Sequence, residues 1–169
     1  MNDSDPIQWS DSMLTGVTEI DQQHRILVDT LNAAKVKLTS EADNSLFEKI
    51  TRDLLAYAIY HFNAEEQLMK QFGYAAAVPE EAKLHLAAHR HFSEQVVALR
   101  AEAREGKPYS RDALLDFLKN WLTNHIMTTD KRLGEFICSK TTKSALVAGE
   151  LTLTQEAVKR FPLFREKHE

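Results

Sequence analysis

A chain of 169 residues, 43 % of them hydrophobic and with a formal net charge of −4, is long enough for one domain with a continuous core. Acidic and basic residues are interspersed, so no basic stripe is available to neutralise a phosphate backbone, and nucleic acid is excluded as a partner. No stretch approaches membrane-spanning length, and the amino terminus, MNDSDPIQW, has neither the basic nor the apolar region of a secretion signal.

The single cysteine, Cys138, cannot form an internal disulfide, which fits a reducing compartment and an expected cytoplasmic location. With only 5 glycines and 4 prolines among abundant Ala, Leu, Glu, Lys and Gln, the composition predicts an all-α protein.

Residues 1–17 read as an extended arm anchored by Trp9. Four segments with apolar residues at helical spacing follow. The first, about Thr18 to Leu38, carries Ile20, His24, Leu27, Leu31, Ala34 and Leu38 on one stripe, so a histidine interrupts an apolar seam. The second, about Asn44 to Phe72, presents Ile50, Leu54, Ala58, His61, Glu65, Leu68 and Phe72. The third, about Pro79 to Arg104, opens on a proline that a first helical turn tolerates and runs His85, Ala88, His89, Phe92, Val96 and Leu99.

The fourth segment, about Ser110 to Cys138, starts at a residue suited to an N-cap. It runs Leu114, Leu118, Trp121 and His125, with Leu122, Ile126, Asp130 and Leu133 on the adjoining stripe. Beyond it lies a carboxy-terminal extension, residues 139–169, in which Thr152 and Gln155 suit the start of a short helix over residues 150–161. Short polar connections between four such segments predict an up-down-up-down antiparallel four-helix bundle over residues 18–138, with an N-terminal arm and a C-terminal extension.

A buried ionisable group costs several kcal/mol unless it is paired or coordinates a metal, so polar residues on the core stripe of all four helices call for one common explanation. Residues four apart share a helix face, and His61 with Glu65, like His85 with His89, can each converge on one small volume. His125 and Asp130 are five apart, which turns them by roughly 140° on an ideal helix. Either the metal lies between two stripes, or this helix is locally underwound in an i to i+5 bulge. Five histidines exceed what one tetrahedral zinc can use, so two metals are indicated, with Glu65 and Asp130 placed to bridge them.

The ordered set resembles the hemerythrin family, and its single-domain bacterial members in particular, over about residues 7–138. The resemblance rests on Trp9, Gly16 and Ile20-Asp21-x-x-His24; on His61-Phe62-x-x-Glu65-Glu66-x-x-Met69 with Tyr74; on His85-x-x-x-His89; and on Trp121-x-x-x-His125-Ile126-x-x-x-Asp130. It implies two iron ions joined by an oxo or hydroxo bridge. His85, His89 and His125 would hold one ion, His24 and His61 the other, and Glu65 and Asp130 both.

It further implies reversible binding of dioxygen, for storage, delivery or sensing, rather than enzymatic turnover. The rival expectation is a di-iron enzyme acting on peroxide or nitric oxide, or an iron-dependent regulatory module. The dry pocket that the family keeps over its open iron would here be lined by Leu27, Phe62, Trp121, Leu122 and Ile126. The extension has no counterpart in the family domain and would serve a protein partner or self-association. Read individually, Glu66 is a solvated or salt-bridged residue pointing away from the ligands, His91 is exposed, His168 lies in the tail, and Cys138 is a small apolar residue at a helix end.

Overall fold

The computed structural model describes residues 6–38, 44–106 and 110–140. The short helix expected over residues 150–161, and all but the first two residues of the extension, lie outside these. Among the described residues every regular element is helical: α1 (Thr18–Lys37), α2 (Asn44–Gln71), the single turn α3 (Tyr74–Ala77), α4 (Pro79–Arg104), α5 (Ser110–His125), a π-helical turn (Ile126–Asp130) and α6 (Lys131–Lys140). The last three form one unbroken rod. No helix among the described residues is long and apolar enough to cross a membrane.

The four long helices pack in a ring, α1 on α2, α2 on α4, α4 on α5 and α5 back on α1. Ion pairs fix their directions. Glu48 near the start of α2 accepts from Arg100 and Arg104 at the end of α4, at 2.8 and 2.6 Å. Lys35 at the end of α1 sits 3.7 Å from Asp116 at the start of α5. Neighbours are therefore antiparallel, and the predicted all-α bundle is the observed one. The predicted stripes face inward: Ile20, Leu27, Leu31, Ala34, Ile50, Leu54, Ala58, Phe92, Val96, Leu114 and Leu118 are all buried.

Two features depart from the sequence reading. After α2 the chain turns through Gly73, whose φ of +69° favours glycine, into α3. A four-residue turn has no periodicity to detect, and Tyr74 gives it its purpose: its ring is buried edge-on to Phe136 at 5.0 Å, and its hydroxyl donates to Glu81 at 3.1 Å. The second departure is the arm. It is broken by a 3-10 turn at Asp11–Met13, and Ile7, Met13 and Val17 are buried while Trp9 is only partly so, with the Arg25 guanidinium 5.1 Å above its ring.

The end of the arm is tied to α1 by Asp21. Its carboxylate accepts the N–H and the hydroxyl of Thr15 at 2.7 and 2.8 Å and the N–H of Gly16 at 3.1 Å. Gly16 holds a φ of +84° in that turn. Thr15 in turn lies against α6, where only a glycine, Gly134, leaves room for its backbone.

The apolar core falls into two parts. The larger runs from Leu27 to Leu38, Phe47 to Phe62, Phe92 to Ala103 and Leu114 to Ile126. The smaller gathers Val17, Ile20, Met69, Tyr74, Ala82, Leu133 and Ile137 at the opposite end. The buried histidines and carboxylates of the long helices fall where the two meet.

Candidate metal centre

Those polar residues are His24 from α1, His61 and Glu65 from α2, His85 and His89 from α4, His125 at the end of α5 and Asp130 at the end of the π-turn, each buried with at most 5 % exposure. The wider π-helical turn supplies the alignment that ideal helix geometry denies to His125 and Asp130: His125 Nε2 reaches Asp130 Oδ1 at 3.0 Å. Of the two arrangements open from the sequence, the local i to i+5 bulge is the one observed.

The ligand atoms form two overlapping sets, each with all its atoms within 4.8 Å of one another: Glu65, His85, His89, His125 and Asp130 in one, and His24, His61, Glu65 and Asp130 in the other. The carboxylates belong to both. His89 Nε2 and His85 Nε2 lie 3.1 and 3.3 Å from Glu65 Oε2, and His61 Nε2 lies 3.5 Å from Oε1. His24 Nε2 lies 2.9 Å from Asp130 Oδ2. Neighbouring ligands of a six-coordinate ion with bonds of roughly 2.1 Å stand about 3.0 Å apart, close to these spacings.

Hydrogen bonding does not account for the cluster. Both Asp130 oxygens, Glu65 Oε1 and His24 Nε2 are buried without a partner of hydrogen-bond geometry. His89 Nε2 and His125 Nε2 face each other at 3.2 Å, and because His89 gives its one proton from Nδ1 to Glu66, its Nε2 brings only a lone pair to that contact. Buried polar atoms without partners are rare, and cations placed among these would satisfy all of them at once. The donor set therefore fits a pair of metal ions.

Electrostatics points the same way. Burial, reinforced by neighbouring histidines, drives His61 well below the ordinary imidazole range, His85 down to about 4 and His89 down to about 2, so these rings are neutral near pH 7 and offer lone pairs. Burial, together with the facing Asp130, holds Glu65 well above the usual carboxylate range. Burial also acts to raise Asp130, but His125 and then His24 outweigh it and hold that carboxyl well below its usual value.

The metal-free protein is accordingly expected to lose stability on acidification. Below about pH 6.5 the unfolded chain takes up protons that His61, His85 and His89 refuse in the fold, and the loss continues as pH falls towards the folded values. Glu65, whose carboxyl is held above its usual range in the fold, works in the opposite direction, three imidazoles against one carboxyl. Denaturant titrations of metal-free protein at pH 7 and pH 5 are expected to differ by about 2–3 kcal/mol, the lower pH being the less stable. Equal midpoints would show that the imidazoles are not held neutral.

Two ligands are oriented from behind. His61 donates from Nδ1 to Gln23 Oε1 at 2.8 Å, and His89 donates from Nδ1 to Glu66 Oε1 at 3.3 Å, which in each case leaves Nε2 with a lone pair for the cluster. Ring stacking adds to this, Phe62 on His89 at 3.9 Å between centroids and Trp121 on His125 at 4.2 Å. Gln23 carries no sequence signal beyond standing next to a histidine. Glu66 is half-exposed and ion-paired, in keeping with the solvated or salt-bridged residue expected, but its pair is His89, so it does not point away from the cluster. His91 is exposed, as read, and Cys138 is exposed at a helix end with its Sγ 3.5 Å from the carbonyl of Gly16.

An apolar cavity of about 20 Å³, room for one water-sized molecule, lies on the far side of Phe62 and Trp121, whose rings stack on His89 and His125; none of the seven polar residues lines it. Leu27, Phe62, Trp121 and Leu122 line it, and it continues past Ala58 and Leu118 into the larger core. Ile126 is fully buried and does not line this cavity.

Fold and site together define a class: antiparallel helical bundles that carry, between their helices, a histidine and carboxylate cluster able to hold metal. Residues 15–137 match the family model of the hemerythrin HHE cation binding domain, and the chain belongs to the hemerythrin family. It is 33 % identical over 127 residues to a bacteriohemerythrin of Stenotrophomonas maltophilia, covering 75 % of this chain and 78 % of that one. A bacteriohemerythrin of Pseudomonas paraeruginosa is 29 % identical over 122 residues, 72 % and 75 % of the two chains. A hemerythrin-like protein of Naegleria gruberi is 26 % identical over 127 residues, 75 % and 90 % of the two.

Proposed function

We propose that this protein binds dioxygen reversibly at a di-iron centre, with His85, His89 and His125 on one ion, His24 and His61 on the other, and Glu65 and Asp130 shared by both. The observation that carries this reading is the pair of overlapping ligand sets, unequal in histidines and joined through two carboxylates. Iron, when bound, supplies two metal-centred electrons that dioxygen can draw on and give back.

The residues of the chain provide the rest. Five neutral imidazoles and two carboxylates give a donor set of charge −2, which leaves a metal pair cationic inside a protein interior while keeping enough charge compensation to hold it there. The set with two histidines offers four residues against five in the other, so an ion held there would have a position left for a small diatomic. Leu27, Phe62, Trp121 and Leu122 keep the cavity behind the rings stacked on His89 and His125 free of polar groups, which favours an apolar gas over water and would slow the proton entry that makes oxidation permanent.

Iron-loaded protein, reduced under anaerobic conditions and then exposed to oxygen, tests the proposal. A ligand-to-iron charge-transfer band is expected to appear with oxygen and to vanish when oxygen is removed, with recovery of the reduced spectrum. Direct passage to an oxidised spectrum that oxygen removal does not reverse rejects the carrier reading and favours chemistry on peroxide or nitric oxide.

A further inference from the structure

The two imidazoles that are hydrogen-bonded from behind have partners of unlike charge. Behind His61 stands Gln23, a buried neutral amide. Behind His89 stands Glu66, a carboxylate whose side chain is 43 % exposed. Glu66 forms part of the wall of an open groove of about 360 Å³ between α2 and α4, together with Asn63, Arg90 and Glu94, and His89 and Phe62 form its floor. The anionic partner thus serves the three-histidine set alone, and it stands on the side of the cluster nearest solvent.

An amide oxygen that accepts an imidazole N–H fixes the ring. A carboxylate that accepts the same N–H also draws its proton away, which makes the ring more electron-rich and a stronger donor to a ferric than to a ferrous ion. Resting on the di-iron reading above, we propose that Glu66 is a positioning residue that, through His89, lowers the reduction potential of the three-histidine iron, so that this ion gives up its electron before its neighbour. Gln23 leaves the two-histidine iron without that bias. The reduced two-histidine iron, the one with the open position, is thereby kept ferrous longest.

The test is a spectroelectrochemical titration of the full iron-loaded chain and of Glu66→Gln, which keeps an acceptor oxygen but removes the charge. The variant is expected to keep two irons per chain and to favour the ferrous form of one of them about tenfold, a positive shift of about 59 mV in one of the two one-electron steps. Glu94→Gln, a carboxylate of the same groove with no bond to His89, is expected to titrate with the wild type.

A Glu66→Gln curve that overlays the wild type overturns the proposal, because a role in orientation alone survives this change. So does a Glu94→Gln shift of equal size, which assigns the effect to groove charge in general. If Glu66→Gln holds fewer than two irons, Glu66→Asp decides: it keeps the charge but shortens the reach to His89, and a potential unchanged from wild type overturns the proposal. Wild-type protein that does not take up two irons defeats the di-iron reading itself, before any variant is compared.

Discussion

Changing Asp130 to alanine is expected to lower the iron held after loading from two ions per chain to fewer than one, whereas His61→Ala is expected to leave one ion in place. The difference follows from membership of the two ligand sets. His61 belongs to one, while Asp130 belongs to both and stands 2.9 Å from His24 Nε2, 3.0 Å from His125 Nε2 and 3.4 Å from His85 Nε2. Loss of an outer partner of a metal ligand alone costs on the order of 10–100-fold in affinity, and loss of a shared anionic ligand costs both ions at least that. Iron content per chain after desalting, with helix content from circular dichroism as the control, measures it. Two irons retained by folded Asp130→Ala would show that the carboxylate does not bridge.

Gly134→Ala is expected to destabilise the protein by about 2 kcal/mol, although the same change in a helix open to solvent stabilises by up to about 1 kcal/mol. A Cβ at position 134 would fall on the carbonyl oxygen of Thr15 and lie 2.7 Å from its Cβ. Thr15 cannot step aside freely, because its N–H and hydroxyl are both held by Asp21. The arm, the first turn of α1 and α6 are therefore locked at this contact, and the methyl group must break one of them. Chemical denaturation gives the stability and Trp9 emission follows the arm. A gain in stability would sink the idea that the arm is seated here. Gly73→Ala, with φ of +69° but nothing within 4 Å of the added methyl, isolates backbone strain of about 1 kcal/mol from steric conflict.

Helix number, order and inward stripes were legible because buried and exposed positions alternate with the helical period, and because polar residues such as His61 and Glu65 broke an apolar seam at one-turn spacing. The structure gathers all seven proposed ligands, each read from that interruption, into one cluster. Less was legible where geometry is set by another element. Gln23 and Glu66 find their histidines 38 and 23 residues away, across helix interfaces that a one-dimensional pattern does not display. Tyr74 gives no period from within a single turn, and Ile126, placed over the open iron by the family resemblance alone, is buried without lining the cavity behind Phe62 and Trp121. Gly134 looks like an ordinary interruption of a helix until the arm is laid across it.

The π-helical turn also changes how the last rod must be aligned. Counted at about 100° per residue from Leu114, Asp130 would stand about 160° and Leu133 about 100° away from the seam, and both would face wrongly. Counted with one residue omitted, they fall at about 60° and 0°, which agrees with the burial of both. Residues 110–140 thus contain one residue more than their turns require, stored between Ile126 and Asp130. An insertion or deletion elsewhere in a regular helix turns everything beyond it by about 100°. At this turn the count can change by one while Leu133, Gly134 and Ile137 keep their facing, so an alignment gap placed there between relatives is no sign of a broken core.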